Sequence, residues 1–281
     1  LAGDVVGTLA NIRLSRYNTS WNMPAGSSAS GTTLSSGSLD ESNGPLVDGS
    51  DASQWVGRVT PVSTNYTWNG SSSSDWGTAT NWTPNGIPGT IDNVTINVPG
   101  TNTLNITSNR TIQNFTINGT GTFQMAASTD LTITGTASYG GTASVSLNCS
   151  STIYFTSASN VTIPPLNYGN LNASGGDRTF YSSGTIGICG TFTPGAGAYT
   201  VTGSTVDFNS AGAQTIPGCT YNNLSNSNNG NRTLSGTIHI AGTYSPTSGT
   251  VSPGTSTVNF SNSSAQTIPA SMYYNITNTG N

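Results

Sequence analysis

The sequence predicts an all-β protein whose main part is a right-handed β-solenoid (β-helix) of stacked short strands. Three observations lead to this fold class. The C-terminal half contains a repeat of about 52 residues, and such a period is typical of solenoids, propellers and tandem arrays. Short segments in each copy alternate apolar and polar residues with the period of a half-buried strand. Gly, Asn, Ser and Pro separate these segments, and no window combines helical spacing with helix-capping signals.

The repeat can be read directly from three aligned segments. The copies begin at Ser151, Ser204 and Ser256, in steps of 53 (151 to 204) and 52 residues (204 to 256). Because one unit cannot bury its apolar face alone, stacked units would share a continuous core. A tandem array of sandwiches is the alternative, but a sandwich domain needs about 100 residues. Equivalent residues of the solenoid are expected to form two internal columns, one of Phe155, Phe208 and Phe260 and one of Ile163, Ile216 and Ile268.

The chain divides into four parts on these patterns. Residues 1–62 form an N-terminal β segment, which is either a small β-domain or a cap on the first coil. Residues 63–98 are a Trp-rich motif, and residues 99–150 have the rhythm of solenoid coils without matching the repeat. Residues 151–281 hold the copies 151–203, 204–255 and 256–281. Since the third copy is truncated, we expect the chain to be part of a longer one.

The composition excludes several classes of protein. Only 6% of the residues are charged, against about a quarter in typical proteins. The six basic residues are all Arg and are scattered, and the net charge is −4, so we expect no nucleic-acid partner. No run of ~20 apolar residues predicts a membrane span. A signal peptide is not recognisable at the start, so any such segment has been removed or lies outside this sequence. A surface without Lys fits a chain outside the cell.

The three cysteines leave two interpretations open. Cys149, Cys189 and Cys219 have no Cys-x-x-Cys spacing, and the aligned positions of other copies hold Ala, Ser or Leu. Positions that accept these residues favour small buried thiols. One disulfide with a third, free thiol is the alternative in an oxidising compartment. One His and three separated Cys make no ligand cluster, so we expect no metal and no cofactor.

Three of the five tryptophans lie within fifteen residues, at Trp68, Trp76 and Trp82. The favoured interpretation is that these rings pack on one another at the end of the solenoid, because large aromatic residues in small folds usually serve core burial. Asp92 would then bond turn amides before the next strand. The alternative is a carbohydrate-binding platform in which the three rings stack on sugars.

The Trp-rich motif and the repeat together resemble a known class of protein. The motif comprises Trp68-x-Gly70, Trp76, Asn81-Trp82, Pro88 and Asp92-x-Val94-x-Ile96. It is similar to one in very large surface proteins of Bacteroidetes-type bacteria, where it precedes repeats of the form STVxFxxxxxQTIPxxxYxNL. Residues 204–224 match that form, and the resemblance covers roughly 64–281. It implies an exported protein, often using the type IX route, that acts as an adhesin or extracellular fibre, and it supplies no catalytic residues.

The titratable residues form no recognisable catalytic pattern. Asp207 occupies a repeat position held by Tyr154 and Asn259, so it is predicted to face solvent, as is His239. Asp177-Arg178 and Asn231-Arg232 are predicted to lie in turns one unit apart. No metalloprotease, nucleophile-elbow or phosphate-loop motif is present. We expect the protein not to be an enzyme.

Acceptor sequences for N-linked glycans are abundant, and their use depends on the host. The candidate glycosylation sites are Asn65, Asn81, Asn93, Asn105, Asn109, Asn118, Asn160, Asn223, Asn231 and Asn259.

These observations predict a non-enzymatic extracellular structural or adhesive protein. The rigid solenoid would form part of a cell-surface adhesin or a self-assembling filament, with like subunits or neighbouring repeats as partners. A carbohydrate-binding module that uses the Trp-rich motif to hold surface glycans is the alternative.

Overall fold

The computed structural model describes residues 62–97, 102–120, 122–141 and 144–280, together with the backbone of five strands nearer the N-terminus. The chain separates into two compact units, Leu1–Ser63 and Thr64–Asn281. Within the described residues, no helix has the length and apolar character needed to cross a membrane. The two units differ in how their strands pair.

The strands described in the first unit pair in antiparallel fashion. They are β1 (Ile12–Tyr17), β2 (Trp21–Asn22), β3 (Ser28–Ser30), β4 (Thr33–Ser35) and β5 (Gln54–Val59). One sheet has the order β2-β1-β5, and β3 and β4 form a separate two-stranded sheet.

The second unit is built almost entirely from parallel strands of two to six residues. Its strands are β6 (Asn65–Trp68), β7 (Trp82–Thr83), β8 (Asn93–Ile96), β9 (Leu104–Ile106), β10 (Arg110–Ile112), β11 (Asn114–Gly119), β12 (Thr122–Met125), β13 (Asp130–Ile133), β14 (Ala137–Gly141), β15 (Ser144–Leu147), β16 (Thr152–Phe155), β17 (Val161–Ile163), β18 (Asn167–Tyr168), β19 (Asn170–Ala173), β20 (Arg178–Phe180), β21 (Thr185–Ile188), β22 (Phe192–Pro194), β23 (Tyr199–Thr200), β24 (Thr205–Phe208), β25 (Gln214–Ile216), β26 (Thr220–Tyr221), β27 (Asn223–Asn226), β28 (Arg232–Leu234), β29 (Thr237–Ile240), β30 (Tyr244–Pro246), β31 (Val251–Ser252), β32 (Thr257–Phe260) and β33 (Asn275–Asn278). A short 3-10 helix, Ala79–Asn81, precedes β7.

Successive strands lie on three sides, and the strands of one side stack from coil to coil. The first side contains the sheets β14-β11-β8-β6-β7, β17-β20-β23 and β26-β29-β32-β33. The second side contains β15-β12-β9 and β18-β21-β24-β27-β30, and the third contains β10-β13-β16-β19-β22 and β25-β28-β31. About nine turns result, so the prediction of an all-β solenoid is confirmed.

The core is one side chain deep because each strand points alternate residues inward. In β8, for example, Val94 and Ile96 are buried while Asn93 and Thr95 are half-buried on the outer surface. Residues 110–119 form two strands, β10 and β11, because the chain turns a corner at the exposed Gln113.

The sequence repeat does not coincide with a whole number of coils, and this overturns the predicted columns. From β8 onward, paired residues on adjacent coils are 17 (Val161 and Arg178) to 22 (Leu131 and Ile153) positions apart. A full copy spans eight strands, β16–β23 or β24–β31, which is two coils and two strands of a third. The equivalent strands β16, β24 and β32 therefore lie on three different sides.

The predicted phenylalanine and isoleucine columns are consequently wrong. Phe155, Phe208 and Phe260 pair with Ile133, Ile188 and Ile240 in three separate sheets. Ile163 and Ile216 also lie in separate sheets, and Ile268 is exposed. The error comes from equating one sequence repeat with one layer of the solenoid.

A disulfide joins two of the three cysteines. Cys149 follows β15 in an exposed turn, and it is bonded to Cys189, which follows β21. The favoured interpretation as buried thiols is therefore wrong for these two residues, and the alternative of one disulfide and a free thiol is the one found. Cys219 is free and buried, and burial raises the pKa of its thiol to about 12.

Thiol titration checks this arrangement. We expect no fast-reacting thiol in the native protein at neutral pH, one thiol per chain after unfolding without reductant, and three after reduction. Because the disulfide closes 40 residues, its reduction is expected to lower the free energy of unfolding by about 2–4 kcal/mol. Two or more thiols titrating in the unfolded but unreduced chain would contradict the pairing.

Candidate functional site

The three clustered tryptophans form a buried aromatic group at the first coil. Trp68 in β6 is paired with Trp82 in β7 through an antiparallel bridge, and Trp76 lies on the turn between them. The ring centroid of Trp82 is 5.0 Å from that of Trp68 and 4.8 Å from that of Trp76, both in edge-on geometry. The exposed fractions are 1% for Trp68 and 0% for the other two. Edge-on aromatic pairs of this kind add to the stability gained by burial.

Polar groups around the aromatic cluster hold it in place through hydrogen bonds and a cation–π contact. The Trp82 indole donates to the Trp76 carbonyl at 2.9 Å, and the Trp68 indole donates to the Asn102 carbonyl at 3.0 Å. The guanidinium of Arg110 lies over the Trp76 ring at 6.0 Å, a cation–π distance. Asn81 is fully buried, and its side chain accepts two backbone amides and donates to two oxygens.

The packing interpretation of Trp68, Trp76 and Trp82 agrees with this geometry, whereas the sugar-stacking interpretation does not. A stacking platform needs exposed ring faces, and these three rings are covered by one another and by the first coil. Asp92 takes the expected role, because its carboxylate accepts the amides of Thr64 and Gly89, each at 2.8 Å.

An array of Asn and Thr side chains lies on the first side of the solenoid at β6, β8 and β11. The pattern Asn-x-Thr-x-Asn occurs at 65–69, 93–97 and 114–118. Register pairing places the first Asn of each strand in one column and the central Thr in a second column, so both form rows across three coils. The first column is tied together by side-chain bonds: Asn93 Nδ2 donates to Asn65 Oδ1 at 2.6 Å, and Asn114 Nδ2 donates to Asn93 Oδ1 at 2.7 Å.

We call these residues the Asn/Thr array. Its amides and hydroxyls are exposed or half-buried, and it contains no charged side chain. This surface was not predicted from the sequence, because the pattern recurs at unequal spacings of 28 (65 to 93) and 21 residues (93 to 114). The threefold recurrence of Asn-x-Thr-x-Asn was the signal that could have found it.

The structure separates the candidate glycosylation sites by exposure. Asn81 and Asn259 are buried, so their side chains are not accessible in the folded protein. The half-buried sites are Asn93, Asn105, Asn118 and Asn223, and the exposed sites are Asn65, Asn109, Asn160 and Asn231.

Two arginines predicted to lie in turns are instead inside the solenoid. Arg178 and Arg232 have no exposed surface, and each opens a strand, β20 or β28. The Arg232 guanidinium donates to the carbonyls of Phe208, Ser210 and Gly212 at 2.8–3.1 Å. The Arg178 guanidinium makes the equivalent bonds to Phe155, Ser157 and Ser159. Burial is the main influence on both groups and lowers their pKa, but arginine keeps its charge in proteins.

These arginines therefore bind the turn of the preceding coil through its backbone. The short pattern Asp/Asn-Arg-Thr-apolar, at 177–180 and 231–234, marks the position in sequence. It also occurs at 109–112, where Arg110 covers Trp76.

Two further side-chain bonds recur in successive copies. The Gln214 amide nitrogen donates to the carbonyls of Ile188 and Gly190, and Gln266 bonds Ile240 and Gly242 in the same way one copy later. In all three copies a tyrosine hydroxyl donates to a proline carbonyl four residues earlier at 2.8–2.9 Å; the pairs are Tyr168 and Pro164, Tyr221 and Pro217, and Tyr273 and Pro269. The side chains that recur in the repeat thus donate hydrogen bonds to backbone carbonyls of the solenoid itself.

Two titratable residues that were predicted to face solvent, Asp207 and His239, are partly covered. Asp207 is mostly covered, contrary to the prediction, because the hydroxyls of Ser225 and Ser227 on the next coil donate to its carboxylate. His239 is half-buried, and its Nδ1 is 3.1 Å from the Asn259 amide nitrogen. Among the described residues, no group of three or more His, Cys, Asp or Glu is placed to hold a metal ion.

A shallow cleft lies beside the disulfide. Its lining includes Cys149, Cys189, Thr191 and Gln214 and no ionisable side chain. It therefore offers hydroxyl and amide groups for hydrogen bonding, with no ionisable acid or base among its lining residues.

Comparison with known proteins gives one family similarity. Residues 67–188 match the model of a family described as a domain of unknown function, DUF8693. The matched segment begins in β6 and ends with β21, so it contains the Trp cluster, Arg178 and all of the Asn/Thr array except Asn65. Neither the curated proteins nor the solved structures gave a significant match.

Proposed function

We propose that this protein is a non-enzymatic structural or adhesive protein of the cell surface or extracellular space. Its solenoid would serve as a rigid part of an adhesin or of a self-assembling filament, as in the surface proteins that residues 64–281 resemble. The observation that carries the proposal is that the repeated side chains bond to the solenoid's own backbone. Repeats that preserve a catalytic or ligand site would instead preserve groups that converge on one cavity.

Two further features support an extracellular setting. The Cys149–Cys189 disulfide is typical of oxidising compartments. The charge content of 6% and the absence of Lys leave a surface of hydroxyls and amides, which suits contact with polysaccharide or with a like surface. The exposed acceptors at Asn109, Asn160 and Asn231 are open to N-linked glycans, and a mass above 28.6 kDa for the intact chain would reveal them.

The adhesive contact is assigned to the Asn/Thr array. Its rows repeat at the strand spacing of ~4.8 Å and its columns at about 7 Å, since alternate residues share one face. A regular, uncharged lattice of donors and acceptors can hydrogen-bond to an ordered polymer surface at many points at once. Many weak contacts of this type give avidity without a deep pocket.

A polysaccharide panel tests the proposal. The intact protein is incubated with insoluble and soluble polysaccharides, and bound protein, released sugar and tryptophan emission are measured. We expect no released product and no emission change. Thr95→Arg in the array is expected to reduce retention on a bound polymer at least tenfold, whereas Thr132→Arg on the third side leaves it unchanged.

Released sugar that depends on the protein would overturn the non-enzymatic assignment. An emission shift on binding, with Thr95→Arg still binding, would favour a carbohydrate-binding module that uses the Trp-rich motif.

A further inference from the structure

Arg110 differs from the other two arginines of the second unit in the contacts of its guanidinium. Arg178 and Arg232 donate to backbone carbonyls of the preceding coil. Arg110 opens β10 in the same sequence pattern, but none of the residues that the structure describes accepts a hydrogen bond from it. Its guanidinium instead lies over the Trp76 ring, 6.0 Å from the ring centre. The described part of the fold therefore leaves the donors of this cation unused.

The unused donors are of two kinds, enclosed and accessible. Nε of Arg110 and Nε1 of the fully buried Trp76 are enclosed, and neither has an acceptor among the described residues. Nε of Arg178 is also without an acceptor, so an enclosed Nε does not by itself indicate a ligand. The terminal nitrogens of Arg110 are different, because they lack an acceptor in the described chain and still have exposed surface. They can reach the oxygen atoms of a ligand.

Gly77 separates the guanidinium of Arg110 from a carboxylate. A Cβ atom on Gly77 would lie 3.4 Å from Nη2 of Arg110 and 3.1 Å from Oδ2 of Asp75. The two charged groups thus border the same small space. The backbone of Asp75 is fixed by a bridge to Asn105, whereas its exposed carboxylate accepts a long bond of 3.4 Å from the Thr78 hydroxyl. The carboxylate therefore has acceptor capacity left for a ligand.

This pair of groups favours a hydroxy acid over a simple anion. A planar guanidinium binds a carboxylate through two parallel hydrogen bonds. The carboxylate of Asp75 repels a second negative charge, but it accepts hydrogen bonds from hydroxyl groups. A ligand that carries a carboxylate with hydroxyls beside it satisfies both Arg110 and Asp75. A uronic acid residue of an acidic polysaccharide has this chemistry.

We propose that Arg110 and Asp75 form a binding site for a uronic acid residue of an acidic polysaccharide. The sugar carboxylate binds the terminal nitrogens of Arg110, the sugar hydroxyls donate to Asp75, and Gly77 leaves space between them. The tryptophan rings stay covered, so the site is not a stacking platform. Since Arg110 lies in β10 on the third side, the inference does not depend on the adhesive role of the Asn/Thr array on the first side.

Titration of the isotope-labelled intact protein with trigalacturonate tests the site, with a chelator present so that no divalent cation links the two. The side-chain N–H signal of Arg110, assigned through Arg110→Gln, and the amide signal of Gly77 report binding. We expect saturable shifts of both signals. The methyl ester of the trimer keeps the hydroxyls but loses the charge, and acetate keeps a carboxylate without hydroxyls. Both are expected to bind at least tenfold more weakly.

Asp75→Asn separates recognition of a hydroxy acid from attraction of any anion. The change removes a negative charge, so an anion held by charge alone would bind more tightly. Because a carboxylate accepts stronger hydrogen bonds than an amide oxygen, trigalacturonate is instead expected to bind about fivefold more weakly.

Gly77→Ala keeps both charged groups and fills the space between them. The added methyl group meets the ends of two flexible side chains, so we expect the melting temperature to stay unchanged while binding weakens at least tenfold. Gly89→Ala is the matched control, because its Cβ would lie 3.5 Å from Oδ2 of another carboxylate, that of Asp92. This variant is expected to bind like the unchanged protein.

Four results would overturn the proposal: no saturable shift at Arg110, equal binding of the methyl ester, equal binding of acetate, or tighter binding by Asp75→Asn. Shifts confined to the Asn/Thr array would also overturn it, because the acidic sugar would then be held on the first side.

Discussion

Replacing Arg232 by alanine is expected to lower the free energy of unfolding of the solenoid by about 3–5 kcal/mol. Each buried carbonyl that loses its hydrogen-bond donor costs roughly 1–3 kcal/mol, and water that enters the site offsets part of this cost. The carbonyls concerned are those of Phe208, Ser210 and Gly212. The neighbouring Thr233 is exposed, so Thr233→Ala is the control and is expected to change stability by no more than about 0.5 kcal/mol.

Chemical denaturation followed by circular dichroism measures the effect, and hydrogen exchange localises it. We expect the turn at 209–213 to lose protection first. The free energy of unfolding of Arg232→Lys should lie between those of Arg232→Ala and Thr233→Ala, because an ammonium group cannot reproduce the planar set of donors of a guanidinium. Equal stability of Arg232→Ala and Thr233→Ala would show that the buried guanidinium does not hold the coils together.

Replacing Trp82 by alanine is expected to cost about 3–5 kcal/mol, the range for removing a large aromatic side chain from a core. The ring is fully buried between Trp68 and Trp76, and its indole bonds the Trp76 carbonyl. Its loss opens a cavity at the first coil, and emission from the remaining tryptophans should shift to longer wavelength as water enters.

Trp82→Phe serves as the control, because it keeps part of the aromatic contact while it loses the indole hydrogen bond and a smaller part of the packing. It should be the less damaging change. If Trp82→Ala leaves stability and emission unchanged but removes binding to a polysaccharide, the ring is a ligand contact and not a core residue.

The solenoid could be predicted because its signals are local. Apolar residues at alternate positions, such as Val206 and Phe208, identify a strand wherever they occur. The recurrence of Thr-Ile-Pro in each copy of the repeat indicates that the copies stack. The stacking order could not be predicted, since it depends on the number of strands per coil. The eight strands of a copy and the three sides of a coil become visible only from the pairing of residues such as Val206 and Leu224.

Burial of individual large side chains could be predicted for the tryptophans but not for the arginines. Burial of the Trp cluster followed from residue type, because large rings in small folds usually pack inside. The interior position of Arg178 and Arg232 runs against residue type, and only the carbonyls of the preceding turn make it favourable. Those carbonyls belong to residues 19 to 24 positions away, so the Asp/Asn-Arg-Thr pattern marks the arginine in the sequence but not the groups that it binds.

Single-molecule force spectroscopy of the intact chain shows whether the repeated side chains make the solenoid a mechanical element. With handles at residues 64 and 280, we expect discrete unfolding events that each release one or a few coils, about 20 residues or ~70 Å of contour per coil. Reduction of the Cys149–Cys189 disulfide should lengthen the total extension by ~140 Å, because it frees 40 residues. Smooth extension without discrete events would show that the coils do not resist force, and a contour length unchanged by reduction would show that the disulfide does not close this loop.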